Sequence, residues 1–131
     1  MNPKQEILRC VEQYKKAVHT QEAADFYPIW AKSCETSLIS ISTCFTGTDS
    51  IYEDFLIGGI RKAYTKIELV AKETNVRLLS DSCAIVIFSY HTDCIRRETG
   101  EPYGIEGLET QVYIKEEDGW KLAHVQYAKN G

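Results

Sequence analysis

The chain has 131 residues, 44% of them hydrophobic, with 15 basic and 19 acidic side chains and a net charge of −4. That size is one domain over residues 1–131, able to bury roughly two-thirds of its unfolded surface without a disulfide or metal staple, and the apolar content excludes the disordered class. The acidic balance argues against a nucleic-acid or anionic-membrane surface, because phosphate binding needs a basic stripe; Lys15-Lys16 and Arg96-Arg97 are too short for one and read as solvated.

Asn2-Pro3 reads as a helix start, with Asn as N-cap, Pro at the first helical position and Gln5 near the third. Ile7, Leu8, Val11, Tyr14 and Val18 recur at helical spacing, so the first helix runs from about residue 3 to 19. His19 then sits where it complements the helix dipole. Thr20 is placed to cap a shorter second helix through Ala23, Ala24, Tyr27 and Trp30, which Pro28 kinks or divides. Leu38 to Phe45 is rich in β-branched residues and reads as a strand. A turn and cap at Gly47 to Ser50 lead into a third helix carrying Ile51, Tyr52, Phe55, Leu56 and Ile60. Gly58-Gly59 is expected to end or fray it.

From Lys66 the pattern changes to β, with strands expected at about 65–79, 83–96, 105–116 and 120–128. Short turns join them, which forces antiparallel pairing. The last turn, Glu116-Glu117-Asp118-Gly119, carries an Asp-Gly hairpin signal. Helices first and a meander afterwards define an α+β class, with about three N-terminal helices packed on the concave face of a curved, cone-like antiparallel sheet.

The longest apolar run, Ala84-Ile85-Val86-Ile87-Phe88, is far short of the ~20 residues of a membrane span. No apolar stretch follows Met1 to Glu6, so no signal peptide is expected. Cys10, Cys34, Cys44, Cys83 and Cys94 are odd in number and show no C-x-x-C spacing. Neither a disulfide framework nor a zinc site is expected; reduced thiols in the cytoplasm are the simpler reading. The 84–88 run is apolar at both strand parities, and Leu122 and Val125 are expected on opposite faces. Both sheet faces should then be covered, the outer one by a second copy of the chain or by the curved sheet covering part of itself.

Glu109-Thr110-Gln111-Val112-Tyr113, followed by Asp118-Gly119-Trp120-Lys121-Leu122-Ala123-His124-Val125-Gln126, resembles the closing hairpin of the nuclear transport factor 2-like superfamily. The nearest groups in it are the SnoaL-like domains and the association domain of calcium/calmodulin-dependent protein kinase II. The resemblance implies a cone of three helices against a bent sheet, a pocket between them, and a homodimer or larger ring through the outer sheet face. Gln111, Ser89 and Tyr127 stand where the association domains carry Arg, Gln126 replaces a His, and Ala128 replaces a Ser. The cationic pocket of those domains is therefore not reproduced, which disfavours a carboxylate ligand.

Candidate pocket-lining residues are Tyr14, Trp30, Tyr52, Phe55, Ser89, His91, Gln111, His124 and Tyr127. Tyr14 is spaced like the oxyanion-hole tyrosine of the ketosteroid isomerases, yet residues 38–43 hold no acid to act as their base. His124 and His91 are the general-base candidates on the sheet. Glu35 reads as a solvated loop charge. Strand parity sets Gln111, Tyr113, Val125 and Tyr127 against Thr110, His124 and Gln126; the resemblance to the association domains favours Gln111 and Tyr127 facing the pocket and His124 the outer face, and a single β-bulge reverses the assignment. Whether the chain is an enzyme stays open. The expected function is binding of a small, largely apolar molecule, with any chemistry of general acid/base type and no metal or organic cofactor. The alternative is a non-catalytic association module.

Overall fold

The computed structural model describes residues 1–130. Helix α1 spans Pro3–Thr20 and starts in a capping box: Gln5 N–H donates to Asn2 Oδ1 at 2.9 Å, and Asn2 N–H donates to Gln5 Oε1 at 3.1 Å. Its buried stripe is Ile7, Val11, Tyr14, Ala17 and Val18. Helix α2 is a single turn, Ala23–Phe26, and Pro28 holds the chain in a 3₁₀ turn over Tyr27–Ile29. Thr20 belongs to α1 rather than capping α2. Its hydroxyl donates to Asp25 instead, at 2.7 Å.

Helix α3 begins as an α-helical turn at Thr48–Ser50 and continues as a π-helix over Ile51–Arg61. Gly58-Gly59 does not end it, contrary to expectation. A Cβ at Gly58 would lie 2.8 Å from the carbonyl oxygen of Glu53, five residues earlier. Glycine here permits the tight approach of an i→i+5 helix instead of terminating it.

Seven strands follow one another in the chain: β1 Ser37–Ile39, β2 Cys44–Thr46, β3 Tyr64–Ser80, β4 Cys83–Arg96, β5 Pro102–Tyr103, β6 Glu106–Glu116 and β7 Gly119–Lys129. The expected first strand is in fact the short hairpin β1–β2 with a turn at residues 40–43. The sheet order is β2-β1-β7-β6-β4-β3, with β5 on β4. The meander pairs antiparallel, as expected, while β1 adds a parallel pairing with β7. Gly119, at φ 131°, closes the β6–β7 turn. The helices cover the concave face, and the core between them includes Trp30, Tyr14, Phe88, Tyr113 and Leu122.

One irregularity decides the geometry of the site. On β7, His124 opposes Val112 while Leu122 opposes Tyr113, so Ala123 is an extra residue, a β-bulge. Leu122 and Val125 therefore share the inner face, both fully buried. They do not fall on opposite faces, and they say nothing about cover on the outer side. That inference survives only on β4, where Ile85 and Ile87 are half-buried on the outer face between buried Ala84, Val86 and Phe88.

Candidate functional site

Alternation along β6 places Glu109, Gln111 and Tyr113 in one inward-facing row. All three are fully buried. Tyr113 Oη donates to Gln111 Oε1 at 2.6 Å, and Gln111 Nε2 donates to Glu109 Oε2 at 2.7 Å. Glu109 Oε1 has no partner in the protein. Burial in this apolar setting opposes ionisation and pushes the Glu109 carboxyl up to about 8; the Gln111 amide opposes the shift. At neutral pH Glu109 is mainly an uncharged acid.

Across the sheet from Glu109 stands Tyr127, whose hydroxyl is hydrogen-bonded to that of Tyr14 on α1. Burial raises both phenols well above the ordinary tyrosine value, and the nearby Glu109 carboxyl raises them further. Tyr90, edge-on to Tyr127 with ring centroids 5.6 Å apart, is pushed up to about 12 by burial and by Glu109.

Beside this cluster lies a cavity of about 200 Å³. Ile67, Leu69 and Cys94 line it with apolar groups, Tyr64, Tyr90, Thr92 and Tyr127 bring hydroxyl-bearing side chains, and Phe55 joins them from α3. The β1–β2 turn contributes Ser40 and Ile41. No charged side chain lines it among the described residues. Nor does any group of three or more His, Cys, Asp or Glu side chains gather among them in a metal-binding arrangement.

The residues singled out from the sequence separate into two sets. Tyr14, Trp30, Phe55, Gln111 and Tyr127 converge on the interior around this cluster. Of these, Phe55 and Tyr127 border the cavity, and their rings stack at 6.1 Å. Trp30 is core: it packs against Tyr14 and Phe26, and its segment bridges to Leu122. Tyr52 is turned away, donating to the Gln21 carbonyl at 2.9 Å and packing on Phe26 and Tyr27.

Ser89, His91 and His124 lie on the opposite face of the sheet and do not line the cavity. Ser89 donates to the Lys72 carbonyl at 3.3 Å, and His91 Nε2 lies 3.5 Å from Asp93. His124 Nδ1 pairs with Ser37 Oγ at 2.7 Å. The parity of β4 turns Ser89 and His91 outward, because Phe88 and Tyr90 point inward. The Ala123 bulge resets β7 so that His124 is outward while Val125 and Tyr127 are inward. Glu35 is an exposed loop residue, and His19 Nδ1 lies 2.9 Å from the Ile67 carbonyl.

Sequence reading missed Glu109 as a functional candidate. Its parity with Gln111, two residues on, was the available signal. Tyr90 carried the same signal on β4.

Three N-terminal helices on the concave face of a curled sheet are the fold of the nuclear transport factor 2-like superfamily. A protein of that superfamily from Salmonella enterica serovar Typhimurium LT2 superposes with a TM-score of 0.90 at 25% identity, over 98% of this chain and 91% of that one. Hexachlorocyclohexane dehydrochlorinase LinA-type3 from Novosphingobium barchaimii LL02 shares the fold, with a TM-score of 0.86 at 12% identity, over 98% and 86% of the two chains. A Xanthomonas campestris protein assigned to the calcium/calmodulin dependent protein kinase II association domain does so too, with a TM-score of 0.81 at 18% identity, over 99% and 89%. The chain belongs to the calcium/calmodulin dependent protein kinase II association domain family, which it matches over residues 3–131. No curated protein matches the sequence.

Proposed function

We propose that this domain binds a small, largely apolar, uncharged molecule in the cavity between α3 and the inner sheet face. The observation that carries this reading is a cavity of about 200 Å³ lined by apolar and hydroxyl-bearing side chains, with no charged lining residue. Such a site gains affinity from burial of apolar surface and orientation from a few polar groups. If chemistry takes place there, Glu109 and the Tyr14–Tyr127 pair supply the proton-exchanging groups, in place of His91 and His124. The five free thiols suit a reducing compartment, so a cytoplasmic location belongs to the same proposal.

A thermal-shift screen of neutral one- and two-ring compounds tests the reading, run on the natural chain and on Ile67→Trp, which fills the cavity. Compounds that stabilise the first and not the second support it. An absence of hits, or hits that persist in the filled variant, overturns it.

A second reading, self-association, is favoured by the outer face. There Ile85 pairs with Val112, and Cys83 with Ile114, in adjoining half-buried rows. Membership of an association-domain family points the same way. The two readings are compatible, because they use opposite faces of the sheet. Light scattering coupled to size exclusion separates them: a dimer or larger species that Ile87→Asp reduces to monomer supports association, and a monomer at micromolar concentration for the natural chain removes it.

A further inference from the structure

Arg96-Arg97 is too short to make a basic patch as a sequence run, but it does not stand alone in the fold. Tyr64 on β3 pairs with Arg96 on β4, and Lys66 pairs with Ile95. Arg97 N–H donates to the Ala63 carbonyl at 2.9 Å, and its guanidinium donates to the carbonyls of Arg61 at 3.0 Å and Tyr64 at 3.1 Å. These bonds tie the end of α3 and the start of β3 to the end of β4. Residues 60–66 and 94–97 bring Arg61, Lys62, Lys66, Arg96 and Arg97 to this edge, and no acid. All five cations are exposed. They are a third of the basic side chains of a chain whose net charge is −4.

None of the five takes part in an ion pair among the described residues, whereas Lys15, Lys16 and Lys121 each have a carboxylate partner. The three guanidiniums are held by neutral groups instead. Arg61 donates to the Gln21 side chain at 2.9 Å and to its carbonyl at 3.1 Å. Arg97 rests on the two carbonyls above, and Arg96 lies 3.9 Å over the Tyr103 ring. A carbonyl or a ring fixes a guanidinium without cancelling its charge, and each guanidinium keeps N–H donors to spare. Capping of helix-end carbonyls accounts for Arg61 and Arg97. It does not account for Lys62, Lys66 and Arg96, which add like charge to the same edge at a cost in repulsion. The flanking acids in the sequence, Glu68, Asp93 and Glu98, pair with none of them.

We propose that this edge is a docking surface for an acidic peptide segment of a partner protein. Charge complementarity selects the occupant. The cations come from a helix end and two strands, and all are exposed, so no closed pocket surrounds a single small anion. A nucleic acid or an anionic bilayer extends past the edge and meets the acidic remainder of the surface. A short run of Glu or Asp side chains does not, and its carboxylates match the guanidinium forks. The proposal does not depend on what the cavity binds.

The test titrates the full chain into fluorescein-labelled hexaglutamate and follows anisotropy at about 50 mM salt, where surface charges are weakly screened. Binding is expected there, and it weakens as salt is raised to about 0.5 M. Lys62→Glu with Lys66→Glu reverses two cations whose side chains donate no hydrogen bond among the described residues. This pair weakens binding about tenfold, roughly the effect of two surface ion pairs turned to repulsion. Lys15→Glu with Lys16→Glu makes the same change in net charge elsewhere, on α1, and shifts affinity less than about twofold because distant exposed charges are screened. Should the reversed pair fail to fold, the milder Lys62→Gln with Lys66→Gln replaces it, with weakening still expected.

No binding of hexaglutamate at low salt overturns the proposal. So does equal weakening by the two double variants, which reduces the effect to net charge. Tighter binding of a single-stranded hexanucleotide, tighter binding to vesicles of about 30% anionic lipid, or displacement of the peptide by an equal concentration of inorganic phosphate gives the edge to a different anion and overturns it as well.

Discussion

The two faces of strands β4, β6 and β7 are built from alternating residues of the same sequence, yet they follow different rules. Inward rows such as Val86–Gln111–Val125 and Phe88–Glu109–Tyr127 are buried or nearly so. Their polar groups form one hydrogen-bonded line from Tyr113 to Glu109. The outward row Arg77–Ile85–Val112–His124–Ser37 mixes half-buried apolar and polar side chains, and its histidine settles on a neighbouring serine. Burial on one side raises the cost of charge and leaves Glu109 protonated. On the other side water or a partner chain can meet each polar atom. A residue's chemistry here depends on which face its parity selects.

Deleting Ala123 breaks that distinction at its origin. Without the bulge, either Trp120 and Leu122 or Val125 and Tyr127 must turn outward. The loss of buried surface exceeds about 4 kcal/mol, and the cooperative unfolding transition is expected to disappear in denaturant titrations followed by circular dichroism.

The pH dependence of stability probes the charge rule on the inner face. The Glu109 pKa rises from 4.5 unfolded to about 8 folded, so between those values the folded chain holds a proton that the unfolded chain has released. Its contribution is undiminished below the unfolded value and is lost as pH climbs, at about 1.4 kcal/mol per pH unit, levelling off above the folded value. Subtracting the Glu109→Gln profile from that of the natural chain isolates this slope. A flat difference across the window contradicts a buried acid.

Neighbouring residues on β6 sharpen the comparison with smaller effects. Gln111→Leu strips Glu109 of its donor and Tyr113 of its acceptor, and is expected to cost roughly 3 kcal/mol in urea unfolding. Thr110→Val, one residue away on the outer face, is expected to stay within about 0.5 kcal/mol. Equal costs would erase the difference between the faces.

Much of the fold was legible in the chain because its signals are local. The capping box at Asn2-Pro3-Lys4-Gln5, the 3.6-residue stripe of α1 and the turn before Gly119 each specify their element with nearby residues. Misreadings arose where tertiary geometry overrides a local habit. Gly58-Gly59 reads as a helix end, but within a π-helix it serves close packing. His91 and His124 read as site residues because histidine so often is one, yet parity turns both away from the interior.

By itself the sequence determined the α+β order and the β3-to-β7 meander. Local propensity and side-chain chemistry suffice for those statements. Only the tertiary structure decided which face of the last hairpin looks inward, because a single extra residue at Ala123 inverts the alternation of everything after it and no local preference marks the bulge. It also decided that Glu109 is a buried acid. That property belongs to its surroundings, an amide on one oxygen, nothing in the protein on the other and three tyrosines from separate elements, and these meet only when the sheet curls around α1.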